Sequence, residues 1–339
     1  MKMGMQTTGS IHLRTIGWGT NSPAPWTATQ RDMSGTGEAA RSPAAESTHC
    51  ENAMKRLQRH RRFYANFLAA TAGIPAGSRL AEAFASTPRE NFVGPGPWKV
   101  DTNSGYIETP SDDPLFLYQN IAVALNDEEI LNNGVPGLHA FCIHALEIQE
   151  GQTVVQVGAG TGYYTAILAR MVGPSGVVHA YEIRPDFFAR LRQNLAAFPQ
   201  VRLHSGSGAE GALPACDALY VNAGATAPLD AWLEALRLMG RLIFPLTPAE
   251  GSGAMLMIVR QRIASAPARF LCPVKFTPCI GGRNDETARR LTAAFRNGRW
   301  TEVRSFRRGE AVDESCWFDG GGWWLSTKEL AANGSIPIL

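Results

Sequence analysis

The feature that most constrains the fold is the stretch of residues 154–162, which reads Val-Val-Gln-Val-Gly-Ala-Gly-Thr-Gly. Its apolar half predicts a strand buried on both faces, and Gly158, Gly160 and Gly162 predict a tight turn whose backbone can approach a ligand closely. Glu182 follows twenty residues after the last glycine, at the end of the next predicted strand. A carboxylate there can accept hydrogen bonds from two ribose hydroxyls, so the pattern indicates a nucleotide-like ligand.

The spacing of the glycines distinguishes this loop from that of dinucleotide-binding folds. Those folds carry GxGxxG, whereas this chain has GxGxG followed directly by Tyr163. We interpret it as a loop for S-adenosylmethionine (AdoMet), whose methionyl carboxylate would meet the N-terminus of a helix beginning at Tyr163. The sequence therefore predicts a methyltransferase.

Four segments are expected to meet at the carboxyl edge of the sheet and to form the cofactor site. Besides the glycine loop and Glu182, they are the turn at residues 205–208, bordering the adenine, and residues 222–224, beside the reactive sulfonium. The residues expected to bind the cofactor are Gly158, Ala159, Gly160, Thr161, Gly162, Tyr163, Glu182, Ile183, Ser207 and Gly208.

Strands and helices alternate from residue 151 onward, which predicts an α/β fold with a Rossmann-like, doubly wound and mostly parallel sheet of seven strands. Two further strands are separated by too little chain for a crossover helix and should form an antiparallel hairpin at the sheet edge. The predicted strands cover residues 153–157, 176–183, 201–204, 218–222, 241–245, 254–262 and 270–276, and the helices cover residues 163–172, 185–197 and 229–238.

The chain divides into three predicted parts. Residues 1–53 are rich in Ser, Thr, Gly, Ala and Pro and should form a disordered tail. Residues 54–282 form the methyltransferase domain, in which a helical, substrate-side part (54–150) precedes the Rossmann-like core (151–282). Residues 283–339 form a C-terminal extension. Outside the core, the pattern predicts helices at 54–70, 78–85 and 287–296, a loop-rich stretch at 88–114, and strands at 300–306 and 323–326.

The composition is that of an ordinary soluble protein, and the cysteines and the N-terminus lead us to expect a cytoplasmic location. The 339 residues are 45% apolar and 18% charged with a net charge of +2, which gives no electrostatic reason to expect nucleic acid or an anionic membrane as partner. We find neither a run of about 18 apolar residues nor the apolar region of a signal peptide. The six scattered cysteines are expected to be reduced thiols.

Four segments carry a resemblance to a known family. Residues 83–93 are similar to its F..VPRE.FV segment, residues 136–140 to the segment before its first strand, residues 157–173 to its glycine loop and first helix, and residues 240–245 to its GGRLV.P strand. On these residues the chain resembles the protein-L-isoaspartate O-methyltransferase family. The resemblance implies a Rossmann-like methyltransferase sheet with the family's altered last-strand order, AdoMet as cofactor, and O-methylation of a carboxylate on a protein or peptide.

The chain departs from the family pattern on the side of the methyl acceptor. The family's serine two residues before the proline is Gly134 here, and the aspartate of its Gly-Asp-Gly turn, which is expected to bind the adenine amine, is Ser207. Residues 115–133 form an additional segment on the substrate side, and residues 283–339 have no recognisable counterpart. We therefore expect a divergent branch with its own acceptor.

The predicted chemistry depends on the acceptor. A carboxylate with a pKa of about 4 is ionised at neutral pH and needs no general base, so the enzyme mainly orients and desolvates the reactants. A hydroxyl or amine acceptor would need a base, for which His139 is the leading candidate, with a packing histidine as the alternative. Asn222 would lie beside the sulfonium, as a ligand contact or as a turn residue. His144 lies five residues after His139, which is not the spacing of a helical metal pair, and no metal is predicted.

Methylation of nucleic acid is disfavoured. Methyltransferases acting on base amines place a Pro-Pro-aromatic motif after the fourth strand, where this chain reads Asn-Ala-Gly-Ala. Pro278-Cys279 is similar to the nucleophile motif of cytosine-C5 enzymes, but it falls near the last strand and is better explained as a buried structural cysteine.

Three hypotheses follow from the sequence. The first is an AdoMet-dependent O-methyltransferase acting on a protein or peptide carboxylate, and the second is a small-molecule methyltransferase. The third is a non-catalytic AdoMet-binding module that recruits partners through its extension, although the four tryptophans there are better explained as core residues. The sequence does not indicate an oligomeric state.

Overall fold

The computed structural model describes residues 43–102, 104–126, 131–261 and 264–330, with side chains from residue 51 onward. Most of the predicted disordered tail lies outside these ranges. Its last part is helical, because the first helix begins at Pro43 rather than at residue 54. Proline suits the first turn of a helix, and the alanines and glutamate that follow it are compatible with a helix despite their polar, serine-containing context. None of the helices in the described ranges combines the length and hydropathy needed to cross a bilayer.

The substrate-side part is helical with one small hairpin. Its elements are α1 (Pro43–Thr71), α2 (Arg79–Ser86), α3 (Glu90–Val93), β1 (Lys99–Thr102), β2 (Gly105–Glu108), a 3-10 turn (Pro114–Leu117) and α4 (Pro136–Ala145). The stretch 88–114 is rich in loops as predicted, but it also contains three elements that the sequence did not reveal, α3 and the antiparallel β1–β2 pair. These elements have only four residues each, too few for a hydrophobic period to be readable.

The parallel core follows the predicted alternation closely. Its elements are β3 (Thr153–Val157), α5 (Tyr163–Val172), β4 (Val177–Glu182), α6 (Pro185–Asn194), β5 (Val201–Ser205), β6 (Cys216–Val221), α7 (Asp230–Ala235) and β7 (Leu236–Leu246). Both β3 and α5 have the predicted bounds. The predicted helix at 229–238 is too long, because Leu236 already pairs with Cys216 of β6. Pairing with a neighbouring strand here overrides the helical pattern.

The sheet extends beyond the predicted seven strands. The remaining elements are β8 (Gly253–Val259), β9 (Ser265–Val274), α8 (Asp285–Arg296), a 3-10 turn (Trp300–Glu302), β10 (Ser305–Arg308), β11 (Cys316–Asp319) and β12 (Trp323–Ser326). The antiparallel β8–β9 hairpin is confirmed, but it is not at the edge, because β10 pairs with β9. The described chain forms a ten-stranded mixed sheet in the order β11-β12-β10-β9-β8-β7-β6-β3-β4-β5.

Helices and loops cover the two faces of this sheet and bury two apolar clusters. One cluster joins α1, α2, α4 and α5 to the sheet, and the other surrounds Trp232 and Phe244. The second cluster includes Trp323 and Leu325 of β12, so the extension shares the core of the enzyme. The carboxyl ends of β3, β4, β5 and β6 are left facing a cleft, which is where a doubly wound sheet places its ligand.

Candidate active site

The glycine loop after β3 has the conformation that the sequence predicted. Gly158, Gly160 and Gly162 have φ angles of +77°, +57° and +97°, which disfavour residues with a side chain. A Cβ on Gly162 would also come within 2.8 Å of Leu191 in α6. The loop leads directly into α5, so the first-turn N–H groups of that helix lack intrahelical acceptors and face the end of the sheet.

Two other residues of the loop contribute mainly through their backbone. Thr161 is buried, and its carbonyl accepts a 2.8 Å hydrogen bond from Asn194 of α6, which fastens the loop. The Tyr163 ring packs edge-on against Phe84 and Phe92 in the core. Of the predicted cofactor-binding residues, Tyr163 can therefore offer a ligand its backbone N–H but not its buried ring.

Glu182 lies at the end of β4 with its carboxylate against the glycine loop. Its Oε2 accepts from the Gly160 N–H at 2.6 Å and its Oε1 accepts from the Arg184 N–H at 2.9 Å. Burial raises the pKa of the carboxyl, and backbone N–H donors, foremost those of Arg184 and Gly160, oppose that shift. A carboxylate has about four acceptor positions, so it retains capacity to accept from ribose hydroxyls. The sequence did not show that Glu182 also stabilises the glycine loop, by accepting from the Gly160 N–H.

The side of the cleft that the sequence predicts for the adenine is formed by residues after β4 and β5. Ile183 follows Glu182 and is 39% exposed. Gly208 packs so closely on Val157 that a Cβ there would lie 2.6 Å from its side chain. The Ser207 hydroxyl donates to the Ile280 carbonyl at 2.8 Å and accepts from the Ala209 N–H at 3.1 Å. All the predicted turns thus meet at one cleft.

Sequence reasoning missed a further wall, the turn at residues 277–282. The Gly224 N–H donates to the Thr277 carbonyl at 2.7 Å, and the Cys279 N–H donates back to the Gly224 carbonyl at 2.9 Å. Pro278 and Cys279 are therefore beside the turn after β6, although the sequence predicted them to be away from it. Burial raises the pKa of Cys279 to about 11, which keeps the thiol protonated at neutral pH. Only tertiary pairing brings this segment to the site, so spacing could not have shown it.

His139 is a buried, neutral side chain on the side of the cleft predicted for the methyl acceptor. Its ring stacks on Tyr164 at 3.7 Å between centroids, and its Nδ1 is 2.7 Å from the Tyr220 hydroxyl. Burial, with the nearby charge of Arg89 as a second cause, lowers the pKa of His139 to about 3. Such a weak base is poorly suited to activate an acceptor, so these contacts favour the packing alternative.

Gly134 covers the other ring nitrogen of His139. This Nε2 is buried and has no hydrogen-bond partner among the described residues. A Cβ at Gly134 would overlap it and would lie 2.9 Å from Cδ2 of the same ring. The φ angle of +75° at Gly134 is itself one that side-chain-bearing residues rarely adopt. The imidazole therefore occupies the space into which a residue-134 side chain would project.

Asn222 borders the cleft directly after β6. Its N–H donates to the Val157 carbonyl at 2.8 Å, and its side-chain amide approaches the Gly158 carbonyl at 3.4 Å. The Oδ1 atom is buried without a hydrogen-bond partner in the described part of the chain. An acceptor of this kind next to the glycine loop is suited to a donor group of a bound ligand.

The described part of the additional segment before α4, residues 115–126 and 131–133, contributes to the side of the cleft predicted for the methyl acceptor, and we call it the acceptor wall. The fully buried Arg89 anchors it. The Arg89 guanidinium donates to the carbonyls of Leu117 and Ile121 at 2.6 Å each, and more weakly to the Asn133 side chain. A further bond, to the Gln119 carbonyl at 3.1 Å, completes a set of main-chain oxygens that solvate this charge. The resemblance drew attention to the Pro-Arg-Glu motif, but the sequence did not show that its arginine, Arg89, anchors the acceptor wall.

The cleft as a whole fits a nucleotide-sized cofactor. It encloses about 710 Å³ and is lined by the glycine loop, Glu182, Ile183, Ser207 and Asn222, with the acceptor wall opposite. Ligand pockets usually measure roughly 300–1,000 Å³ and combine apolar walls with a few aimed polar groups. Free carboxylate acceptor positions, helix N–H groups and the Asn222 oxygen are such groups.

Comparison with known proteins identifies the family. Residues 68–284 match the family model described as protein-L-isoaspartate(D-aspartate) O-methyltransferase (PCMT). The chain belongs to the protein-L-isoaspartate O-methyltransferase family. It is therefore an AdoMet-dependent methyltransferase, as the sequence predicted, and AdoMet is its cofactor.

Relatives and solved structures agree with this family assignment. The chain is 30% identical over 205 residues to a protein-L-isoaspartate O-methyltransferase of Ignicoccus hospitalis, covering 59% of this chain and 88% of the relative. It is also 30% identical over 186 residues to protein-L-isoaspartate O-methyltransferase 1 of Arabidopsis thaliana, covering 51% and 72%. A solved protein-L-isoaspartate O-methyltransferase superposes with a TM-score of 0.56 at 20% identity, covering 70% of this chain and 69% of that one.

A Plasmodium falciparum structure described as belonging to the same enzyme class was solved in complex with S-adenosyl-L-homocysteine. It superposes with a TM-score of 0.53 at 15% identity and covers 65% of this chain and 98% of its own. At these identities the two structural likenesses support the fold. The match of the family model ends at residue 284, so the strands β10–β12 lie beyond it.

Proposed function

We propose that this chain is an AdoMet-dependent O-methyltransferase whose acceptor is a carboxylate on a protein or peptide. The observation that carries the proposal is the state of His139, which is buried, has a pKa lowered to about 3 and is covered by Gly134. A hydroxyl or amine acceptor would lose a proton during transfer and would need a base. A carboxylate is already ionised at neutral pH, and this cleft suits an acceptor of that kind.

The residues of the chain bind and orient the reactants by this proposal. When bound, AdoMet supplies a methyl group activated by its sulfonium. The first-turn N–H groups of α5 would hold the methionyl carboxylate, Glu182 would accept from the ribose hydroxyls, and Asn222 Oδ1 would accept from a donor of the cofactor. The acceptor wall excludes water from the reacting atoms, which strengthens orientation and electrostatics in the cleft.

The acceptor class follows the family, with isoaspartyl peptides as the first candidates. The relatives named above are protein-L-isoaspartate O-methyltransferases. In this chain Gly134 and the acceptor wall alter the acceptor side. We therefore propose a protein or peptide carboxylate as acceptor, and the experiment below determines which carboxylate of the peptide is methylated.

The proposal is tested with tritiated AdoMet and three peptides of otherwise identical sequence. They carry an isoaspartyl, an aspartyl or an asparaginyl residue at one position, and their C-termini are amidated. We expect label on a carboxylate-bearing peptide that is released as methanol at mildly basic pH, as a methyl ester requires, with the asparaginyl peptide as the control. Base-stable label, or equal labelling of the asparaginyl peptide, would refute O-methylation of a carboxylate.

A further inference from the structure

Two large apolar side chains in the cleft are exposed to solvent, and one of them, Ile280, has no role in the site described so far. Ile280, at the turn after β9, is 62% exposed, and Ile183, after β4, is 39% exposed. Both line the same cleft, and they come from different walls of it. Apolar surface inside a concave site marks a place that a ligand covers.

The position of Ile280 is fixed by the backbone. The turn pairs with residues after β6 through the bonds between Gly224 and residues 277 and 279 described above. It also closes on itself through Gly282 N–H and the Cys279 carbonyl at 3.0 Å, while the Gly282 carbonyl accepts from Thr226 N–H at 3.0 Å. Ile280 is therefore held in place before any ligand arrives, and covering its side chain does not require ordering the turn.

Ser207 stabilises the turn that carries Ile280 by donating its hydroxyl proton to it. A serine hydroxyl has one proton to donate, and here it goes to the Ile280 carbonyl at 2.8 Å. One of its two acceptor positions is taken by Ala209 N–H. An aspartate, which the family pattern has at this place, could not donate to that carbonyl. Ser207 thus ties the turn after β5 to the turn that carries Ile280.

We propose that Ile280 is an adenine-binding residue and that Ser207 is a positioning residue that acts through it. Ile183 and Ile280 give the purine ring apolar contact from two walls of the cleft, in place of an acidic acceptor for its amine. Adenine recognition then depends on the shape and apolar surface of the ring, and the 6-amino group contributes little. The inference rests on the function proposed above only for the identity of the ligand.

The test measures dissociation constants by calorimetry for S-adenosylhomocysteine and for its 6-oxo analogue, S-inosylhomocysteine. The proteins are wild type, Ile280→Ala, Ser207→Ala and the double variant, with Ile107→Ala as the control. Ile107 is 59% exposed on β2 and does not line the cleft. We expect Ile280→Ala to weaken both ligands roughly tenfold, a typical effect for a lost apolar contact of this size.

Two further results are expected. The dissociation constants of wild type for S-adenosylhomocysteine and S-inosylhomocysteine should differ by less than about threefold, because the site has no strong acceptor for the 6-amino group. The double variant should bind no more weakly than Ile280→Ala, because Ser207 acts through the same contact. Ile107→Ala should bind as wild type does, and unfolding midpoints should be unchanged in the Ile280 variant.

Other outcomes would overturn the inference. Undiminished affinity in Ile280→Ala would remove Ile280 from the site. A wild-type preference for the adenosyl ligand above tenfold that Ser207→Ala abolishes would show direct contact between Ser207 and the amine. Failure of wild type to bind either ligand would instead contradict the cofactor assignment, and with it both this inference and the proposed function.

Discussion

At the residue scale, Gly134 and His139 form one packing unit on the proposed acceptor side of the cleft. The imidazole lies between Tyr164 and Tyr220 and projects toward the glycine, where a side chain would overlap it. In the sequence, Gly134 stands where the family pattern has a serine. In the structure it is the residue that leaves room for a buried histidine.

Restoring serine at Gly134 should therefore destabilise the protein rather than recreate a family site. Strain at a positive φ costs about 1–2 kcal/mol and overpacking costs about 1–3 kcal/mol, so we expect a loss of roughly 2–5 kcal/mol in the free energy of unfolding. Urea titration measures it. Gly77→Ser is the matched control, because Gly77 has φ +71° and a Cβ added there would meet no atom of the described residues within 4 Å. Equal losses in both variants would mean that His139 does not crowd residue 134.

His139 should also make stability depend on pH. Its pKa is about 3 in the folded protein and about 6.5 in an unfolded chain, so between these values the unfolded state binds the extra proton. Stability contributed by the neutral ring is present above pH 6.5 and is lost as the pH falls toward 3. From pH 7.5 to 5.0 this loss is about 2 kcal/mol.

The comparison of wild type with His139→Gln isolates this effect from other groups. His179 and His204, whose pKa values are also lowered by burial, remain in both proteins. Between pH 7.5 and 5.0, the free energy of unfolding measured with urea should fall by about 2 kcal/mol less in the variant than in wild type. An equal drop in both proteins would contradict the lowered pKa of His139.

At the scale of elements, one buried arginine organises the acceptor wall. Arg89 precedes α3, yet its guanidinium reaches carbonyls of residues 117, 119 and 121 and the side chain of Asn133. The wall residues that line the cleft follow directly in the chain. Removing the guanidinium takes the donor away from the buried Leu117 carbonyl, which costs about 1–3 kcal/mol, and from the partly buried oxygens of the other three residues, which costs less for each.

We expect Arg89→Met to loosen the wall while sparing the cofactor side. Backbone hydrogen exchange should accelerate at residues 117–125, the Michaelis constant for the acceptor peptide should rise, and AdoMet affinity should change less than about threefold. Arg79→Met is the control, because Arg79 also donates to carbonyls, those of Ile148 and Met171, away from the cleft. Unchanged exchange in the Arg89 variant, or a faster exchange that Arg79→Met reproduces, would contradict this role.

At the scale of the whole molecule, local sequence patterns predicted the cofactor side of the cleft. The other walls of the cleft and the added strands depend on tertiary contacts. The loop at Gly158–Gly162 and Glu182 was predictable because strand, turn and next strand are adjacent in sequence. The turn carrying Ile280, the anchor Arg89 and the pairing of β10 with β9 were not, since each depends on segments that meet only after folding. The short strands of the extension also gave too little periodicity to show that they continue the sheet.

The pH dependence of methyl transfer in a single turnover shows whether the reaction uses a base. By the proposed function, the cleft transfers methyl to an acceptor that needs none. With enzyme and AdoMet in excess over a labelled carboxylate peptide, the rate constant should be flat from pH 6 to 9. A rise with a midpoint between pH 6 and 8 that disappears in His139→Gln would show a catalytic base and contradict the account.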